Sequence, residues 1–163
     1  MRYLLACGGT GGHINPAIAI ADELQKKDPE AQFLFVGNED GMEQKLVPRA
    51  GYPIRSIRAH GFARGGGAKN LLLNVKYAWR AMQSVRRARR ILREFRPDLA
   101  IGTGGYVSGP VMLAARELRI PYVIHEQNAY AGVATRACAR SAARVFLSFE
   151  HTIGVEPGEN VRV

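Results

Sequence analysis

The sequence predicts an α/β protein whose parallel sheet is doubly wound, with helices on both faces. Three observations predict it. Short apolar runs alternate with helical patterns from end to end. The first of these runs shows no polar alternation, as a strand covered on both faces requires. Glycine-rich or polar clusters follow the first, fourth and fifth runs, at the strand ends where such sheets bind ligands.

Tyr3 to Cys7 is the first strand, ended by Gly8. Asn15 and Pro16 mark a helix start, with Asn as the cap and Pro at the first helical position, where its missing N–H costs nothing. That helix runs through Ile18, Ala21 and Leu24 to Lys26-Lys27 and stops at Asp28-Pro29. Gln32 to Val36 is a second strand, Met42 to Val47 a short helix ended by Pro48, and Ile54 to Ile57 a third strand. Arg64 to Gly67 reads as a flexible loop before a long helix from about Lys69 to Phe95. Leu99 to Ile101, Tyr122 to Ile124 and Val145 to Leu147 are three further strands, separated by helices over Val111 to Leu118 and Val133 to Ala142. Pro157-Gly158 and Val161 to Val163 add a turn and a last strand.

The 163 residues are 47% hydrophobic and 23% charged, which is globular composition and excludes disorder, collagen-like repeats and a disulfide-stapled miniprotein. No apolar run approaches the ~18 residues of a spanning helix. The N-terminus has no room for a secretory leader and reads as mature and cytosolic. Cys7 and Cys138 show neither Cys-x-x-Cys nor zinc spacing and read as small buried apolar residues. The net charge of +9 is concentrated: Lys69 to Arg96 holds nine basic residues against one acid, Glu94. Such a segment should meet something anionic, whether nucleic acid, phospholipid headgroups or a phosphorylated ligand.

On the long helix, Leu71, Val75, Ala78, Met82, Val85, Leu92 and Phe95 keep a three-four spacing and should face the core. Lys76, Arg80, Arg87, Arg90 and Glu94 track the opposite side. Leu73 and Tyr77 share that outer face, with Leu72 and Trp79 between the stripes. An apolar edge interleaved with cations suits a helix lying on an anionic bilayer. A solvated basic face is the plainer alternative.

Chemistry should gather at three clusters. Gly8-Gly9-Thr10-Gly11-Gly12-His13 lets backbone N–H groups approach an anion, with a helix start behind them. It is not the dinucleotide fingerprint, because Ile14 stands where the third glycine belongs, and it is not a Walker loop. His13 beside it is a candidate general base, since a histidine can accept a proton at neutral pH. Gly102-Thr103-Gly104-Gly105-Tyr106-Val107-Ser108-Gly109-Pro110 repeats the logic, and the two turns together suit a diphosphate. His125-Glu126-Gln127-Asn128 places four polar residues at a strand end, fit for gripping hydroxyls or amides of a sugar. No Asp-x-Asp metal motif is present.

Taken in order, the first cluster, Met42-Glu43 ahead of Val47-Pro48, Gly104 to Pro110, and His125 to Asn128 resemble the MurG family. Its members are bacterial glycosyltransferases that pass N-acetylglucosamine from UDP-GlcNAc to lipid I, the undecaprenyl-diphosphate-linked muramyl-pentapeptide, giving lipid II for peptidoglycan. The resemblance implies a Rossmann-like domain, residues 1–163, as the N-terminal, acceptor-binding and membrane-associating half of a GT-B enzyme. The family's C-terminal donor-binding domain has no counterpart in this chain, so this half should bind the donor poorly and turn over little.

By the resemblance, His13 is the base toward the acceptor 4-hydroxyl. Thr10, Gly11, Gly12 and Asn128 are similar to donor-contacting positions. Gly104, Gly105, Tyr106, Ser108 and Glu126 would line the acceptor, and Leu72, Leu73, Lys76, Tyr77, Trp79 and Arg80 the membrane patch. The family implies inverting, single-displacement chemistry with no cofactor and no metal, at the cytoplasmic face of the inner membrane. Two other readings stay open: a basic nucleic-acid-binding domain, for which no recognition helix or stacking motif is present, and a lipid-anchored subunit of a two-chain N-acetylglucosaminyltransferase.

Overall fold

The computed structural model describes residues 1–59 and 68–163, and the side chains of 1–59 and 81–163. The strands are β1 (Arg2–Ala6), β2 (Gln32–Asn38), β3 (Ile54–Ile57), β4 (Leu99–Gly102), β5 (Tyr122–Glu126), β6 (Arg144–Leu147) and β7 (Val161–Arg162). They form one seven-stranded sheet in the order β3-β2-β1-β4-β5-β6-β7, every pair parallel. The helices are α1 (Gly11–Lys27), α2 (Glu43–Arg49), α3 (Ala68–Phe95), α4 (Ser108–Glu117) and α5 (Val133–Cys138).

Alternate residues of β1 sort the core into two layers, as the period of a strand demands. Tyr3 and Leu5, with Cys7 just beyond, pack under Ile14, Ala17 and Ala21 of α1 and Val47 of α2. Leu4 and Ala6 face the other way, against a layer built with Ala88, Ile91 and Leu92 of α3 and Val111 and Met112 of α4. Both cysteines are free and buried. Burial, then the Glu43 charge, pushes the Cys7 thiol up to about 12, so it stays an inert apolar filler. Among the described residues, no helix is long and apolar enough to cross a membrane.

Several expectations about the elements need correction. The first helix begins at Gly11 and not at Pro16, with extended Thr10 as its cap. The Thr10 carbonyl accepts the N–H groups of His13 and Ile14, which draws both glycines and the histidine into the first turn. The Thr103 hydroxyl donates to the His13 carbonyl at 2.7 Å, so a tertiary bond supports a turn whose glycines have poor helix propensity. Pro16 and Pro48 both sit inside helices, each in a place where the chain tolerates one missing backbone bond. The helix expected from Val111 starts at Ser108, because the Ser108 hydroxyl finds buried partners there. The segment from Val133 tightens into a 3-10 turn over Ala139–Ser141.

On α3, Met82 is 51% exposed, contrary to the expected inward stripe. Leu92 is buried as expected and Val85 and Phe95 pack partly buried against the core, but the buried line also takes in Ser84, Ala88 and Ile91. Serine takes an inward position because its hydroxyl donates to the Arg58 carbonyl. Ala88 is small enough to let neighbouring elements close in. The loop over 64–67 lies outside the described residues, and so do the side chains of Leu72, Leu73, Lys76, Tyr77, Trp79 and Arg80.

Candidate active site

Strands β1, β4 and β5 are neighbours, in register through Ala6 beside Gly102 and Gly102 beside Ile124. Their carboxyl ends therefore deliver the three clusters side by side. Contact between the first two is direct. Gly105 has φ +79, and a Cβ there would collide with the Gly8 carbonyl, whose carbon would lie 2.9 Å away. At Gly104, a Cβ would strike the His13 ring, coming within 2.8 Å of Nε2. Two side-chain-free positions thus let the second turn close over the first and over the imidazole.

His13 is half-buried. Its Nδ1 lies 3.2 Å from the Gly8 carbonyl oxygen and 3.2 Å from the Thr10 hydroxyl. A carbonyl oxygen only accepts, so this contact is a hydrogen bond when Nδ1 carries the proton. That tautomer leaves the lone pair on Nε2, the nitrogen beside Gly104. The base function expected of His13 has its free nitrogen at the junction of the two turns.

The backbone donors divide unevenly. Gly9 N–H is taken by the Glu43 carboxylate at 3.3 Å and Gly104 N–H by the Ser108 hydroxyl at 3.0 Å. The N–H groups of Thr10, Gly11 and Gly12 have no acceptor among the described residues, and they stand at the start of α1, where the helix dipole favours an anion. Tyr106, in the second turn, is 65% exposed.

Three polar residues hold the clusters instead of offering their side chains outward, which corrects the expectation for two of them. Ser108 is buried, and its single hydroxyl proton serves the Ala6 carbonyl at 2.8 Å or the Gly104 carbonyl at 2.7 Å. Glu126 is buried too. Its carboxylate accepts from the Asn128 backbone and side chain, Gly132 N–H and the Thr135 hydroxyl, over 2.7–3.1 Å. Burial alone would raise its pKa, but the donors of Thr135, Gly132 and Asn128 outweigh it and hold the carboxyl below the usual range. Gln127 was not foreseen as a brace. Its Nε2 donates to the Thr103 carbonyl at 2.8 Å and to His125 Nδ1 at 2.9 Å, joining the third cluster to the second. Burial lowers the His125 pKa, consistent with a neutral ring accepting that bond.

Glu43 and Thr103 belong to motifs read from the sequence, but neither was foreseen as a brace of the site. The signals for Glu43 were the Met42-Glu43 motif ahead of Val47-Pro48 and its setting as an acid among Gly37, Gly41 and a short helix. Asn128 is exposed at the rim. Among the described residues, no group of three or more His, Cys, Asp or Glu side chains could hold a metal ion. Part of the basic charge of α3 is met internally: Arg87 pairs with Glu39, Arg89 with Glu117 and Arg90 with Glu94.

A fully parallel, two-sided sheet with glycine turns and a histidine gathered at its carboxyl end is a Rossmann-like architecture. The glycosyltransferase family 28 N-terminal domain matches residues 3–147, and the chain belongs to that family. The match fits the N-terminal half of a GT-B enzyme.

Two curated relatives are close in sequence. A Bacillus cereus protein named UDP-N-acetylglucosamine--N-acetylmuramyl-(pentapeptide) pyrophosphoryl-undecaprenol N-acetylglucosamine transferase 1 is 46% identical over 99% of the chain and 43% of its own length. The transferase of the same name, without the numeral, from Leuconostoc mesenteroides is 41% identical over 100% of the chain and 44% of its own length. The chain therefore spans under half the length of the curated relatives it matches. Among solved structures, MurG of Acinetobacter baumannii superposes with a TM-score of 0.81 at 34% identity, over 98% of this chain and 44% of that one. A UDP-GlcNAc 2-epimerase from Neisseria meningitidis shares the fold, with a TM-score of 0.70 at 14% identity over 100% of this chain and 45% of that one.

Proposed function

We propose that the chain is the acceptor-binding half of an inverting hexosyltransferase that moves N-acetylglucosamine from UDP-GlcNAc to the 4-hydroxyl of lipid I, forming lipid II. The observation that carries this reading is the His13 ring, held between the Gly8 carbonyl and Gly104 with its Nε2 beside the second turn. In the proposed step, Nε2 takes the proton of the acceptor hydroxyl while that oxygen bonds to the anomeric carbon. The bond to UDP breaks with inversion, and the leaving diphosphate takes the electron pair.

Thr10, Gly11, Gly12 and Asn128 face the donor in this reading, most of whose site belongs to the remaining length of the relatives. Gly104, Gly105 and Tyr106 border the acceptor diphosphate and sugar, while Ser108 and Glu126 act by holding those loops. The basic, apolar-edged start of α3, through Leu72, Leu73, Lys76, Tyr77, Trp79 and Arg80, docks on anionic headgroups. That places the protein peripherally on the cytoplasmic face of the plasma membrane, where a lipid-borne acceptor is presented.

The test completes the chain with the C-terminal portion of the Bacillus cereus relative and measures transfer from UDP-GlcNAc to a lipid I analogue. His13→Ala is expected to lower kcat by about 10²–10⁴-fold, the range supplied by a positioned base. A fall of less than about tenfold would remove His13 from that role.

A further inference from the structure

Glu43 is 0% exposed, and no cation is paired with it among the described residues. A buried carboxylate with no counter-ion is costly unless hydrogen bonds replace its water. The replacements here are backbone N–H groups: Asn38 at 2.7 Å and Gly9 at 3.3 Å. Its surroundings are cut to its shape. A Cβ on Gly8, Gly37 or Gly41 would in each case run into the Glu43 side chain, so a glycine of the first turn, one near the end of β2 and one just after that strand leave the room it occupies. The head of a surface helix, α2, thereby reaches under the first turn of the site.

This arrangement determines which donors the first turn can offer. Gly9 N–H points inward at Glu43, and the next three N–H groups, of Thr10, Gly11 and Gly12, remain for an anion. The same turn carries the Gly8 carbonyl that orients His13. We infer that Glu43 is a positioning residue: by holding Gly8 and Gly9 it aims the free amides of the first turn at a diphosphate and keeps the Gly8 carbonyl on the imidazole. It touches neither substrate nor reacting atom. This deepens the proposed function and rests on that reading for the ligand, but not for the geometry.

Glu43→Gln keeps the shape of the side chain, but its amide –NH₂ replaces one acceptor oxygen, so one of the two backbone donors loses its acceptor. Gly41→Ala is a second variant, displacing the carboxylate by crowding while preserving its charge. Both are compared with the parent chain in two measurements: amide and imidazole NMR shifts, and titration with inorganic pyrophosphate.

The expected result is that the Gly9 and Asn38 amide resonances and the His13 ring resonances move in both variants, while amides of β5 and β6 stay in place. Pyrophosphate affinity of the folded fraction should fall about tenfold, as for the loss of a charge-assisted bond. Unmoved Gly9 and His13 resonances would overturn the inference, whatever happens to melting temperature. So would unchanged affinity in a variant whose parent binds. A parent that binds no pyrophosphate counts against the proposed function alone, since the resonance shifts still decide the role of Glu43.

Discussion

The two glycine turns of the site solve one problem with different supports. The second turn is braced from within: the Ser108 hydroxyl bonds to Gly104 four residues away and reaches the Ala6 carbonyl of β1. The first turn is braced from outside, by a carboxylate on α2 that is 34 residues from Gly9 in the chain. A neutral local brace leaves the neighbouring field unchanged. A buried carboxylate adds negative charge beside amides expected to bind an anion, so its value lies in geometry and not in attraction. Position outweighs local charge here, because amide dipoles act on a ligand only if they are aimed.

Replacements of glycine should break this comparison most sharply. Gly105→Ala meets both a positive φ and the Gly8 carbonyl, and is expected to destabilise the chain by about 3 kcal/mol or more, or to prevent folding. Gly9→Ala also has a positive φ, +87, but nothing lies within 4 Å of a Cβ there. Its cost should be about 1 kcal/mol, the conformational penalty alone. Urea denaturation of the two variants checks the pair, and equal losses would show that the turns are not in the contact described.

A smaller effect tests the local brace. Ser108→Ala removes the acceptor of Gly104 N–H and the donor to Ala6, and should cost about 1–2 kcal/mol. In an NMR comparison, the Gly104 amide should shift while Gly9, which depends on Glu43, should not. Movement of both would mean that the two braces are one network.

The smallest expected effect concerns the link to the third cluster. Burial holds the His125 pKa below the ordinary 6.5, with the Glu126 charge pulling weakly the other way. The unfolded chain then binds the proton more readily than the folded one. This contribution to stability is fully present above pH 6.5 and is lost as pH falls through the lower folded value. Denaturation midpoints measured downward from about pH 7.5 should show that decline, and His125→Gln should flatten it. An unchanged slope would mean that Gln127 does not depend on a neutral His125.

Much of this was legible in the residues. Apolar runs of strand length, separated by helical periods, specify a parallel sheet because only helical crossovers connect parallel neighbours at that spacing. The clusters at the carboxyl ends of β1, β4 and β5 were readable as strand ends for the same reason. The start of α1 was not. Local preference favours Asn15 and Pro16 as the boundary, and that preference is overridden by Thr103, a residue 90 positions away from His13 that caps the histidine carbonyl. Met82 misled in the same way, because the inward line on α3 passes through a serine whose hydroxyl donates to a distant carbonyl. Ser108 and Glu126 were recognisable as polar residues at strand ends. Whether such side chains face a ligand or a neighbouring amide depends on donors brought in by other segments.

The order of apolar and glycine-rich segments was enough to establish the sheet, its two-sided covering and the end of it that carries chemistry, since these follow from local periodicity and chain connectivity. Tertiary structure alone decided that Gly105 seats on Gly8, that His13 lies between the turns with Nδ1 engaged, and that Glu43 reaches beneath them. The contacts of Gly105 with Gly8, of Gly104 with the His13 ring and of Glu43 with Gly9 join residues tens of positions apart, and their energies exist only once the strands have stacked in register.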